Sequence, residues 1–315
     1  MAGFFSNNYP IKPWITGLFL AGSFLFTRPL AAQPPAYLPA SPDSTRSSNH
    51  KLTALLLGSG VAYGGILAGV SQAWYRDMPR TRFHFFNDNR EWQQVDKVGH
   101  VWSAFHQSRL AVSALRWAEV PEKKAIWWGS LAGILLQSPI EFMDGYAAEY
   151  GASAGDLVAN TVGSAAVLAQ YVGWHEIRIT PKYSFHNTRF AVQRPNVLGS
   201  SLPEKMLKDY NGQTYWLAID VARFLPATSR YPKWLNIALG YGASEMIYND
   251  PAINRLAGGQ AYRQFYLAPD LNLSAIRTRS KFLKTTFYLL DMIHLPAPAL
   301  EYNSRRKWHL HPVYF

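Results

Sequence analysis

Between Val95 and Ala166 three short polar clusters sit at the edges of segments that are otherwise apolar. Asp96-Lys97-Val98-Gly99-His100 opens the stretch, Glu141-Phe142-Met143-Asp144-Gly145 ends an apolar run, and Asp156-Leu157-Val158-Ala159-Asn160 begins the last segment. A carboxylate, an ammonium or an imidazole is costly to bury alone, so in such surroundings these groups must find one another or line a wet cavity. Any fold open to this chain has to bring the three clusters together, and the place where they meet is the expected functional centre.

The 315 residues leave room for two domains, and 48% hydrophobic content is ordinary for a chain that folds. Only 16% of residues are charged, whereas 15% are aromatic, a balance suited to a bilayer interface, where a ring with a polar tip is stabilised. A soluble core rich in tryptophan is the alternative. The formal net charge of +11 favours anionic partners. Because the basic residues are scattered and no nucleic-acid motif is present, membrane lipids or lipopolysaccharide are expected rather than nucleic acid, with another envelope protein as a further candidate. The absence of cysteine excludes disulfides, thiolate metal sites, cysteine nucleophiles and a lipid anchor on an N-terminal cysteine.

Residues 1–32 read as a secretory signal. Lys12 precedes the apolar run Trp14–Phe26, and Leu30-Ala31-Ala32 supplies small residues for cleavage. A retained anchor is the alternative, although the run is short for a membrane span. Export to the cell envelope follows, with the outer membrane or its periplasmic face favoured over the inner membrane. Residues 33–50 are rich in Pro and Ser and are expected to form a flexible linker.

Residues 51–175 are expected to form a helical domain. Leu52–Tyr75 carries no charge, and the pairs Gly60/Gly64 and Gly65/Gly69 clear strips for close helix contact, as in an embedded helix. A second helix should run from Asp96 to about Trp117. A third is expected from Glu122 to Tyr146, kinked at Pro139, and a fourth from Ser153 or Asp156 to Val172. Beyond Trp174 the pattern changes to alternation at 176–179, 214–224, 235–248, 264–273 and 308–315, with one amphipathic helix at 280–290. The chain ends on Phe315, as outer-membrane barrels often do, but five strands are fewer than the roughly eight of the smallest barrels. The expected fold is therefore mainly α: a compact four-helix membrane-associated bundle, followed by a smaller β-containing C-terminal region over 176–315 that packs on it.

Asp96 and His100 are four residues apart, as are Asp156 and Asn160, and Glu141 and Asp144 are three apart, so each pair shares a helix face. Three facing pairs suffice for a hydrogen-bonded ring, a divalent metal site or an acid–base couple. They suffice equally for a structural cluster in which Lys97 neutralises Glu141 or Asp144, Asp156 caps its helix and Asn160 fixes register. Whether a metal or any other cofactor binds is left open, and His106 reads as a packing or surface histidine.

The order Asp-Lys-x-x-His, then Glu, then Asp-x-x-x-Asn-x-x-Gly resembles the VanZ-like families of small helical membrane proteins. The runs Phe83–His100 and Met206–Trp216 resemble Bacteroidetes members of the YfiM-like family more closely, over most of the chain from Leu52. That resemblance implies an envelope protein of uncharacterised function, some of whose relatives are lipoproteins. Two functions are carried forward. The first is a non-enzymatic envelope protein, with the cluster of Asp96, Lys97, His100, Glu141, Asp144, Asp156 and Asn160 in a structural or interaction role. The second is an envelope hydrolase or transferase acting on a lipid or glycan, with Glu141 or Asp144 as base and His100 as acid or metal ligand.

Overall fold

The computed structural model describes residues 44–71, 79–148 and 150–315. The expected signal at 1–32 lies outside them. Five helices come first: α1 (Ser44–Val70), α2 (Val95–Trp117), α3 (Glu122–Ser130), α4 (Ala132–Asp144) and α5 (Ala154–Trp174). Six strands follow: β1 (Ile179–Phe185), β2 (Gln213–Ile219), β3 (Leu235–Ser244), β4 (Tyr262–Leu271), β5 (Ala297–Asn303) and β6 (Trp308–Tyr314). Short helices α6 (Pro195–Leu198), α7 (Leu202–Lys208), α8 (Pro251–Leu256) and α9 (Lys281–Leu290) occupy the connections.

The expectation of a mainly α, four-helix membrane bundle is overturned. About 49% of the structure is helical and 21% is strand, and the strands form one antiparallel sheet in the order β1-β2-β3-β4-β5-β6. Helix α1 holds few contacts with the rest, among them Tyr63, whose hydroxyl donates to the Leu136 carbonyl at 2.6 Å, and a Lys51–Glu119 ion pair. Helices α3, α4 and α5 are grouped about α2, which is buried over His100 and from Trp102 to Arg109, with the sheet on its other side.

Backbone proximity explains the small residues of α4 and α5. A Cβ at Gly163 would lie 2.3 Å from the Val101 carbonyl oxygen, and one at Gly133 2.3 Å from the Ala104 carbonyl oxygen. Both glycines are therefore required for α5 and α4 to reach the backbone of α2. The expected single helix over 122–146 is interrupted at Leu131, and Pro139, where a kink is expected, lies inside α4. Side chains replace the regular ladder there. Ser108 Oγ donates to the Ser130 carbonyl at 2.7 Å and accepts from the Gly133 N–H at 3.0 Å, while Ser164 Oγ accepts from the Ile134 N–H at 3.1 Å. Insertion of side chains into the ladder is a recognised cause of helix breaks.

Two strands, β1 and β5, fall outside the expected alternation, and each carries a proline at a tolerated position. Pro181 lies in β1, at the sheet edge, and Pro298 lies where the β5–β6 register shifts between Ala297 and Ala299, both positions where a missing N–H is tolerated. Pro181 has a further role, since its carbonyl accepts from His106 Nε2 at 2.7 Å and ties α2 to β1.

His106 is thus a buried tie. Burial, reinforced by the charge of Arg109, pushes its pKa down to about 3, so the folded protein holds it neutral while the unfolded chain does not. With the folded value below the unfolded one, its contribution is complete above about pH 6.5 and is lost as pH falls toward 3. Chemical denaturation across that range should show the wild type losing more stability than His106→Gln, with matching slopes for both proteins contradicting this assignment.

Candidate functional site

The N-terminal ends of α2 and α5 meet in one polar centre. Asp96 and Asp156 both fall in first turns, where the helix dipole favours a carboxylate. Ser153 caps α5, its hydroxyl accepting from the Asp156 N–H at 3.1 Å. That cap leaves the Asp156 carboxylate available for other partners.

Lys97 occupies the middle. Its ammonium lies 2.7 Å from Asp156 Oδ1, 2.7 Å from Asp88 Oδ2 and 3.3 Å from Asp96 Oδ2. Burial works against this charge, but the surrounding carboxylates of Asp96, Asp156 and Asp88 outweigh it and hold the Lys97 pKa above the ordinary lysine value. The His100 ring lies alongside: Nδ1 is 3.1 Å from Asn160 Oδ1, and Nε2 is 3.3 Å from Asp156 Oδ1 and 4.0 Å from Asp96 Oδ1. Glu141 approaches through Ser153, whose backbone N–H donates to its Oε2 at 3.3 Å, and Ser153 Oγ donates to Asp88 Oδ1 at 2.6 Å. Asp144 is buried one turn further along α4.

The structure therefore brings Asp96, Lys97, His100, Asp156 and Asn160 into direct contact and places Glu141 one residue away. Lys97 pairs with Asp88, Asp96 and Asp156, in place of the partners Glu141 and Asp144 named from sequence. Two members of the cluster were not singled out there. Asp88 sits in Asn87-Asp88-Asn89, which reads as turn chemistry. Tyr210 belongs to the sheet half of the chain, and its hydroxyl donates to Asp96 Oδ1 at 2.7 Å across 114 residues of sequence.

Residues of the sheet also set the entry to α2. Trp92, Gln93 and Gln94 have φ of 47°, 50° and 63°, three successive non-glycine residues in the left-handed region, where each costs about 1–2 kcal/mol. Tertiary bonds offset that cost: Tyr241 donates to the Gln93 carbonyl, Arg263 to Gln94 Oε1, and the Trp92 N–H to the Asn249 carbonyl at 3.2 Å. The turn aims Asp96 and Lys97 at the cluster. Glu91, at its start, has its pKa pushed up to about 7, by burial first and then by Asp88 and Asp96.

A second polar cluster, not anticipated from sequence, lies on the inner face of the sheet. Lys182 Nζ is 2.8 Å from Asp270 Oδ2 and 3.1 Å from Asp291 Oδ1. His294 Nδ1 is 2.9 Å from Asp270 Oδ1, and its ring stacks on Trp216 at 3.9 Å. Arg109 of α2 reaches Asp291 Oδ2 at 3.7 Å. Their spacing in sequence, from Arg109 to His294, offered no pattern to read.

Residues 84–171 match a family model described as "predicted periplasmic lipoprotein (DUF2279)". The matched segment contains Asp88, Asp96, Lys97, His100, Glu141, Asp144, Asp156 and Asn160. The match supports an envelope location and an uncharacterised family, and gives no specific support to the YfiM-like or VanZ-like resemblance. These 315 residues contain no cysteine to carry a lipid. No curated protein and no solved structure matches the chain.

Tyr210→Phe should keep the ring against Trp92, 5.3 Å away, while deleting the bond to Asp96. Loss of a hydrogen bond to a charged group costs about 1.5–3 kcal/mol. Urea denaturation should register that loss without a change in slope; an unaltered midpoint would remove Tyr210 from the cluster.

Proposed function

We propose that this protein is a membrane-seated component of the bacterial cell envelope, held together by internal polar clusters and presenting apolar surface to lipid. The observation that carries this reading is the polarity of the sheet. Leu217 pairs with Leu239, Leu239 with Leu267, Leu267 with Leu300, and Leu300 with Leu310, giving one row of leucines across five strands. These side chains are 37–74% exposed. A parallel row beside it, Tyr241, Phe265, Tyr302 and Trp308, is aromatic.

The opposite face buries Lys182, Asp270, Glu301 and Asn303 beside a small apolar cluster that includes Trp216, Tyr266 and Tyr314. A sheet in water has the reverse arrangement, apolar inward and polar outward. Apolar residues outward, polar residues inward and a flanking aromatic row are what lipid contact selects. The sheet also curls, since the Tyr314 hydroxyl of β6 lies 3.0 Å from Thr214 Oγ1 of β2 and donates to the Tyr266 hydroxyl at 2.7 Å.

Helix α1 adds to this. Its stretch Asn49–Gly69 is long and apolar enough to cross a bilayer, with a mean hydropathy of 1.6, and it is left almost wholly uncovered by the rest of the chain. The +11 charge complements anionic head groups. The family match over residues 84–171 supports the envelope setting.

Because the chain lacks cysteine, single cysteines can be introduced at Leu239, Leu267 and Leu300 and spin-labelled without background. In vesicles containing phosphatidylglycerol, these labels should collide with oxygen more than with a water-soluble nickel chelate, and a label at exposed Ser304 should do the opposite. Leucine-row labels that behave like the Ser304 control would refute lipid contact.

A further inference from the structure

We infer that Asp96, His100 and Asp156 bind one divalent transition-metal cation. The inference stands on the polar centre alone and does not depend on how the protein meets a membrane.

Spacing is the first ground. One ligand atom from each of the three residues lies within 4.8 Å of the others. His100 Nε2 and Asp156 Oδ1 are 3.3 Å apart, and His100 Nε2 and Asp96 Oδ1 are 4.0 Å apart. Adjacent ligands around zinc, with bonds of about 2.0–2.1 Å, sit roughly 3.3 Å from each other. His100 and Asp156 are already at that separation, and Asp96 needs to close by less than about an ångström on the His100 side.

The second ground is the tautomer. Asn160 Oδ1 can only accept, so the Nδ1 of His100 at 3.1 Å carries the hydrogen. This directs Nε2 toward two carboxylate oxygens. A lone pair facing two anionic acceptors is unfavourable, and either a proton on Nε2 or a metal between the three atoms resolves it. Metal-bound histidines characteristically donate their other N–H to such an acceptor.

Charge distinguishes the two occupants. Asp88, Asp96 and Asp156 place three carboxylates around the single ammonium of Lys97, a local excess of negative charge that a divalent cation offsets more fully than a proton does. Asp88 anchors Lys97 independently at 2.7 Å, so the ammonium has a partner that is not a ligand.

A further observation points to a bound oxygen. Asn160 is fully buried, and its Nδ2 has no hydrogen-bond partner among the described residues. The same amide that orients His100 thus holds a donor for an oxygen the protein does not supply, such as water on the metal. Access is available from the Asp96 and Lys97 side, whose side chains retain 17% and 13% exposure. Nitrogen and carboxylate donors without thiolate suit zinc or manganese.

The test is titration of the chelator-treated full chain, in detergent, with zinc or manganese chloride by isothermal calorimetry and thermal melting. One ion should bind per chain and raise the melting temperature. His100→Gln and Asp96→Asn should weaken binding at least tenfold and abolish the thermal shift. Asn160→Ala, which spares all three ligands, should weaken it about 10–100-fold and serves as the readout if the ligand variants fail to fold. Cobalt substitution should give a visible spectrum lost in His100→Gln. Absence of saturable binding, or binding unchanged in the folded Asn160→Ala and His100→Gln proteins, would overturn the site.

Discussion

The ammonium of Lys97 is the group on which the N-terminal half of this structure depends. Three carboxylates from three separate segments converge on it: Asp88 from the loop before α2, Asp96 from the first turn of α2, and Asp156 from the first turn of α5. Without a cation these groups would repel one another in a site that excludes most water, and the helix ends bearing them could not meet. The same requirement extends to the sheet. Tyr210 holds Asp96 from one side, while Tyr241 and Arg263 clamp the left-handed turn that starts α2. The polar centre is therefore the junction between the helical and β parts.

The sheet repeats this solution with other residues. Lys182 is to Asp270 and Asp291 what Lys97 is to the first cluster, and Arg109 links the second cluster back to α2. Interiors rich in paired ions usually gain little stability over apolar packing of the same volume. Such an interior is reasonable where the apolar residues are needed elsewhere. The exposed leucine row and the uncovered face of α1 indicate where they are placed.

Much of the helical part was legible in the sequence, because capping and periodicity act locally. The bounds of α2 and α5 follow from apolar spacing and from Ser153, and the meeting of Asp96, Lys97, His100, Asp156 and Asn160 follows from the cost of burying each alone. The break between α3 and α4 was not legible, since it is made by Ser108 and Ser164, which are distant in sequence. Strands β1 and β5 were not legible: each holds a proline, Pro181 and Pro298, whose tolerance depends on an edge and on a register shift that exist only in the assembled sheet, although Pro269 and Pro312 did not mask β4 and β6. Alternation separates the two faces of a strand but does not say which one the protein covers. That is why the inward direction of Lys182 and Asp270 emerged only with the structure, and with it the departure from a helical bundle carrying a small β extension.

Lys97 and Asp156 supply the most direct measurement, a double-mutant cycle with Lys97→Met and Asp156→Asn read by equilibrium unfolding. If the ammonium is what lets the carboxylates gather, each single variant loses about 3–5 kcal/mol and the pair recovers a coupling energy above about 1.5 kcal/mol. A coupling within about 0.5 kcal/mol of zero would mean that the two residues act independently, and the centre described here would not organise the fold.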